Sequence, residues 1–285
     1  MNFRKTKIDW CTHTWNPVSG CLHGCDYCYA RRIAQRFGPH AAEHPMVDRD
    51  SGAVGILREP DSQSCYTICH AVKLADHTGK YTRSTPYPKG FAPTFSAHLL
   101  DFPEKNQAPA RVFVCNMGDL FGSWVPDKWI EAVFESCKRA DRHVYIFLTK
   151  NPARYLQLAQ AGKLPKGDNF WYGSTITNPD TDYFWANEYN TFLSIEPLLS
   201  EFCEADNFGS LLVDWVIIGA MTGPGANRHK PKKEWVQTIV NSCHEAAVPV
   251  FMKGNLEETW AAPLIQEYPA AMIAWGKEEP DNGKT

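Results

Sequence analysis

Three cysteines fall close together, Cys21, Cys25 and Cys28, in the spacing C-x3-C-x2-C. Gly24 and Asp26 lie between them, so packing does not explain the thiols. Thiolates at this spacing are ligands for zinc or for an iron–sulfur cluster. A structural zinc wants four protein ligands in a tetrahedron, and Cys11, His13 or His23 would have to complete the set. A 4Fe-4S cluster on three cysteines leaves one iron open to a small molecule. Any helix starting just after Cys28 would aim its positive end at an anionic cluster. Cys65-x3-Cys69-His70, with His77 nearby, is a second candidate metal group; free loop thiols are the alternative. Gly219, Gly223 and Gly225, with Asn227, form a glycine-rich loop that could approach a phosphate or carboxylate. It lacks the dinucleotide spacing, and an ordinary turn is the competing reading. Arg31, Arg32 and Arg36 follow the cysteines as a solvated face or a phosphate contact.

The elements that must hold these residues are partly readable. Ala30, Ile33, Ala34 and Phe37 recur at helical spacing and Gly38-Pro39 ends the run, so the cysteine loop (20–29) feeds a helix. Residues 38 to about 110 are rich in Pro, Gly, His and Ser without sustained periodicity, which predicts an irregular insertion or lid. From Arg111 onward, apolar runs at 112–116, 144–149, 170–176, 191–195, 215–220 and 248–253 suit strands buried on both faces. MIAW (272–275) is a weaker strand candidate, and another is expected near Thr14–Val18. Amphipathic stretches intervene. In DKWIEAVFESCKRA, Trp129, Ile130, Val133, Phe134 and Cys137 share a face; in KKEWVQTIVNSCHEA, Trp235, Val236, Ile239, Val240 and Cys243 do. Asn151-Pro152 reads as a helix start. Cys115, in a strand, and the two helical cysteines read as core. The pattern predicts an α/β chain, a complete or partial (β/α) TIM-like barrel, as one domain over 1–285. Its 285 residues and 44% hydrophobic content supply a sizeable core. With 29 basic and 32 acidic residues the net charge is −3, which excludes a globally basic nucleic-acid binder but not a local basic groove. No apolar run reaches membrane-span length, and no apolar segment follows the charged start, so neither a membrane role nor a secretory leader is expected. Ten cysteines without a leader point to a reducing, cytoplasmic setting.

Tyr27 before the last cysteine completes C-x3-C-x-aromatic-C, and here the chain resembles the radical S-adenosylmethionine (SAM) superfamily. With TWNPVSGC (14–21), CYARRIAQRF (28–37), FVCNMGDLFGSWVP (113–126), FLTKNP (147–152), LSIEPLL (193–199) and DWVIIGAMTGP (214–224), it is similar to a phage- and bacteria-encoded radical-SAM-like family of unknown function. The resemblance covers most of the chain, least of all 38–110. It implies a partial barrel, a 4Fe-4S cluster on Cys21, Cys25 and Cys28, and cleavage of SAM to a 5′-deoxyadenosyl radical that takes hydrogen from a substrate. Reduced flavodoxin or ferredoxin would supply the electron. The superfamily's Gly-Gly-Glu is absent; Asn116-Met117-Gly118-Asp119 stands in its place. Asp119 could accept the SAM ammonium in Glu's stead, or it orders the loop before Trp124. Barrel active sites lie at the carboxyl ends of strands. Those ends offer Asn116, Asp119, Thr175, Ser194 and Gly219 as cofactor contacts, joined by Tyr27 of the cysteine loop. Lys150, Glu196 and Lys253 are the catalytic candidates, with one of the lysines expected to pair with the carboxylate. The arginine helix and the phage association point to a nucleotide or nucleic-acid base as substrate. A non-catalytic zinc- or iron–sulfur-binding module is the alternative.

Overall fold

In the computed structural model, which describes residues 3–46, 56–59, 64–202, 212–223 and 225–275, each of the six long apolar runs contains a strand. The chain begins with β1 (Arg4–Lys5), β2 (His13–Trp15), β3 (Val18–Ser19), α1 (Tyr29–Phe37) and β4 (His44–Met46). Next come β5 (Ile56–Arg58), β6 (Tyr66–Ile68), β7 (Val72–Ala75), β8 (Tyr81–Thr85), β9 (Thr94–Ser96) and α2 (Phe102–Lys105). Then follow β10 (Arg111–Val114), α3 (Asp127–Arg139), β11 (Val144–Thr149), α4 (Ala153–Gln160), β12 (Phe170–Ile176) and β13 (Asn190–Ile195). The last are β14 (Trp215–Ile218), α5 (Lys233–Glu245), β15 (Val250–Met252), α6 (Glu257–Trp260) and α7 (Ala270–Trp275).

An eight-stranded sheet runs β1-β2-β10-β11-β12-β13-β14-β15, parallel throughout except for β1. Its side chains alternate with period two, and both sets are apolar. Outward, Val112, Val114, Tyr145, Phe147 and Tyr172 pack with α3 and α4, while Leu193, Val216, Ile218 and Val250 pack with α5. Inward, Phe113, Ile146, Trp171, Phe192, Trp215 and Phe251 meet one another around Trp10. Trp10 shows how far the sheet curls. Its ring lies 4.6 Å from Phe113 in β10 and 6.3 Å from Trp215 in β14. Four strand spacings in a flat sheet would separate those strands by about 19 Å. The architecture is therefore mixed α/β with a strongly curved, mostly parallel sheet; β1 and β15 share no ladder among the described residues.

The same alternation changes chemistry near the carboxyl ends. Continuing the inward set gives Lys150 on β11's line, Thr175 on β12's, Ser194 and Glu196 on β13's, Gly219 on β14's and Lys253 on β15's. The apolar layers form a floor, and a polar layer sits above it.

Three expectations are corrected. Residues 272–275 fall within helix α7, because a four-residue apolar run has no length with which to distinguish strand from helix. Trp235 is only half-buried, at the margin of the core against which α5 packs. The stretch 38–110 is not irregular where it is described. It builds a β3-β9-β6-β5 sheet and a β4-β7-β8 sheet from strands of three to five residues, β3 apart, too short to announce a period. The first of these sheets shares β3 with the segment entering the cysteine loop. Gly20, at φ +86°, is pressed between two backbones: a Cβ there would stand 2.3 Å from the Ala92 carbonyl oxygen. Gly118 closes the other side, bridging to Gly20. The loop base is thus fixed by backbone contact alone.

The far end of α1 is clamped by Arg83 of β8, which donates to the Phe37 and Gly38 carbonyls and to Glu43 at 2.7 Å. The Arg83 hydrogen bond, with the His40 amide, holds the Glu43 carboxyl at about 2 against an ordinary value of 4.5. A depressed carboxyl stabilises the folded state fully above its ordinary value, and that stability is lost as pH falls through the folded value. Glu43→Gln is therefore expected to lower stability at neutral pH and to flatten its decline between pH 4.5 and about 2, as read by denaturant melts across that range.

Candidate active site

The carboxyl ends of the parallel strands open into a cavity of about 390 Å³. One wall is the cysteine loop, contributing Cys21, His23, Cys25, Tyr27 and Cys28. The strand ends contribute Asn116, Asp119, Lys150, Thr175, Ser194, Glu196 and Lys253. Of the cluster, cofactor and catalytic candidates, only Gly219 is not itself a lining residue; Gly223, Gly225 and Asn227 of the glycine-rich loop do not line it either. The role of Gly219 is steric: a Cβ there would stand 3.0 Å from both the Glu196 Cγ and the Lys253 Cδ.

Cys28 caps α1, its Sγ accepting the Arg31 amide at 3.3 Å, and Cys21 Sγ accepts the His23 amide at 3.5 Å. Burial pushes the Cys21 thiol up to about 12, and the His23 amide acts the other way. Three cavity-facing thiols, two already receiving N–H bonds, fit an iron–sulfur cluster, whose ligands bind separate irons. Among the described residues no three His, Cys, Asp or Glu side chains converge on one ion. The fourth ligands considered for zinc are engaged elsewhere. Cys11 is packed in the inward core, His13 bonds Thr12, and His23 Nε2 lies 2.7 Å from Asp119 Oδ2. The second candidate metal group is not assembled either: Cys65 is core, donating to the Trp124 carbonyl, while His70 and His77 are exposed.

Asp119 is buried and fully engaged. Oδ1 accepts the Phe121 amide at 2.9 Å and the Thr149 hydroxyl at 2.8 Å; Oδ2 accepts His23 and the Lys150 amide at 3.0 Å. It orders its loop and ties the cysteine loop to the end of β11, and it has no free lone pair for a ligand. Asn116 is similarly occupied, accepting from Asn16 Nδ2 at 2.8 Å and donating to the Tyr29 hydroxyl at 3.3 Å. Asn151 spends its side chain on the Phe121 carbonyl rather than capping α4.

Other polar groups are paired toward the cavity or left open. Lys253 Nζ donates to Glu196 Oε2 at 2.7 Å, the pairing expected of a carboxylate at a strand end. Lys150 Nζ donates to the Tyr27 hydroxyl at 3.1 Å. Ser194 Oγ and Glu196 Oε1 are buried with no partner among the described residues. Trp10 Nε1, on another lining residue, is a third such atom. Buried polar atoms are nearly always satisfied, so open ones lining a cavity mark where a ligand's polar groups belong.

The family described as "Protein of unknown function (DUF5131)" matches residues 5–58 and 58–267. The chain belongs to that family. Comparison with curated proteins gives no match. A solved structure described as spore photoproduct lyase complexed with dinucleoside spore photoproduct is similar over 88% of this chain and 78% of that one, at 10% identity and a TM-score of 0.49.

In this DUF5131 chain, the sequence reading missed Thr149 as an Asp119 partner and Asn16 as the support of Asn116 and the Met117 amide. Thr149 precedes Lys150, so the strand-end reading stopped one residue short of it. His23 reads from sequence as a zinc ligand, and in the fold it serves Asp119 instead. Asp119→Ala removes a buried carboxylate from four donor groups and should destabilise the protein by about 3–5 kcal/mol. Equilibrium urea denaturation measures this, and stability equal to that of the parent would remove Asp119 as the link between loop and sheet.

Proposed function

We propose that the chain is a radical SAM enzyme: a partial (β/α) barrel with a 4Fe-4S cluster on Cys21, Cys25 and Cys28 and a SAM site at the strand ends. One observation carries the reading. The three thiols share a single cavity with the unpartnered polar atoms of Ser194 and Glu196. Bound cluster and SAM would together supply a 5′-deoxyadenosyl radical that abstracts hydrogen from the substrate. The chain's own residues do the rest. The α1 N-terminus and the amides on Cys21 and Cys28 favour negative charge on the loop. His23 and Asp119 fix that loop against β11. Ser194 and Thr175 offer hydroxyls to bound SAM, with Gly219 giving room. Lys253 holds Glu196 with one oxygen free, and Tyr27 holds Lys150, so an acceptor and a cation face the substrate. Phe91, from the 38–110 stretch, lines the cavity and helps exclude water. Reduced flavodoxin or ferredoxin is the electron donor on this reading, in the cytoplasm. No described helix is long and apolar enough to cross a membrane.

A second reading has its own observation. Asp119, where the superfamily carries a ligand-binding Glu, is saturated by protein donors, which favours a cluster protein without SAM turnover.

Anaerobic purification with metal analysis, then dithionite and SAM, separates the readings. About four irons per chain with 5′-deoxyadenosine supports the enzyme. Iron without that product supports the second reading, and zinc in a colourless protein sinks both. Cys25→Ala is expected to lose the iron. Ser194→Ala should keep it and weaken SAM binding by about tenfold, the equivalent of about 1.4 kcal/mol for a lost buried hydrogen bond. Unchanged affinity in isothermal titration would exclude Ser194 from the SAM site.

A further inference from the structure

Two stretches without an acidic residue meet at the mouth of the cavity. Residues 27–42 hold Arg31, Arg32 and Arg36, and residues 215–233 hold Arg228, Lys230, Lys232 and Lys233. The junction is Arg32: a Cβ on Gly223 would stand 2.4 Å from its terminal guanidinium nitrogens. Gly223, at φ +88°, directly follows the lining residue Thr222. Arg31 lies 5.7 Å over the ring of Phe91, which also lines the cavity. Among the described residues neither arginine is in an ion pair. In a chain of net charge −3, two unpaired guanidinium groups at one rim make a local anion-attracting field.

The rim is aromatic as well as cationic. Phe91, Tyr27 and Tyr29 line the cavity, and Tyr29 is 41% exposed. Guanidinium groups beside aromatic faces are the means by which single strands are held, phosphates on the cations and bases on the rings. An acidic protein surface would match the charge but not the depth. A flat acidic surface ends at the rim, whereas an unstacked base carries donors and acceptors on its edge to the unpartnered Glu196 oxygen. We propose that the substrate is single-stranded nucleic acid, with phosphates at Arg31 and Arg32 and one base extended into the cavity toward Lys150 and the open oxygen of Glu196. This rests on the radical SAM reading only for the chemistry; the binding stands apart from it.

The test is fluorescence anisotropy of labelled oligothymidylate with the full chain, before and after anaerobic cluster reconstitution, across a salt series. Binding should weaken with salt. Arg31→Gln with Arg32→Gln should lower the slope of log K against log salt by about 1.4, at about 0.7 per phosphate contact on a single strand. Variants count only with the parent's melting temperature, and Arg31→Gln alone, expected to lower the slope by about 0.7, serves if Arg32→Gln, packed on Gly223, unfolds. Oligouridylate in place of oligothymidylate tells RNA from DNA, and tight binding of either strand supports the proposal. No binding by the parent, or a slope unchanged in the arginine variants, overturns it. So does displacement by polyglutamate at equal charge, which marks an acidic protein as partner, or by thymidine monophosphate at equal phosphate, which marks a free nucleotide. None of these measurements uses SAM cleavage, so a chain that yields no 5′-deoxyadenosine can still pass, and one that does can still fail.

Discussion

A buried carboxylate must be surrounded by donors or it destabilises the fold. In this protein Asp119 draws those donors from three separate places: His23 in the cysteine loop, Phe121 in its own loop, and Thr149 with Lys150 at the end of β11. The cysteine loop is also attached by its base, through Gly20 and Gly118, and by its exit, through the Cys28 cap of α1. Between those ends Asp119 holds it through His23, and Lys150 through Tyr27. Where the thiols face, and therefore what the cavity can bind, follows from satisfying this one charge.

The sheet explains why a cavity exists there at all. Inward side chains are large and apolar through the middle of the strands, so the curved sheet fills itself with Trp10, Trp171, Phe192, Trp215 and Phe251. Two to four residues further along each strand the inward position becomes Thr175, Ser194, Gly219 or Lys253. Aromatic bulk gives way to small or polar groups, the filling stops, and the space above stays open to solvent and ligand. The cysteine loop and Phe91 close its sides. Period-two alternation thus sets both the core and the depth of the site.

This division explains what was legible in the sequence. The strands at 144–149 and 170–176 were readable to the residue because both faces are buried and the runs are continuous. The thiol loop was readable from spacing alone, and Glu196 with Lys253 from the need of a strand-end carboxylate for a cation. The Asp119 hub was not readable, since His23 and Thr149 lie 96 and 30 residues away and neither forms a motif with it. The small sheets of 38–110 were hidden by strand length. The four-residue run at 272–275 misled because apolar content without period does not choose between strand and helix.

The saturation of Asp119 also constrains the chemistry at the far side of the cavity. If that carboxylate is committed to the loop, a cationic ligand group must find its acceptor elsewhere. Asn116 does not provide it, because its carbonyl accepts from the Tyr29 hydroxyl and its side chain is held by Asn16. The remaining anionic acceptor of the cavity is Glu196, whose Oε2 is neutralised by Lys253 and whose Oε1 is open. Lys253 therefore has two consequences. It places a cation on one oxygen of the Glu196 carboxylate, and it fixes which oxygen faces the ligand. Gly219 is part of the same solution, because any side chain there would press on both partners at 3.0 Å. The open charge of the cavity thus lies away from Asp119, on a pair that β13 and β15 bring together.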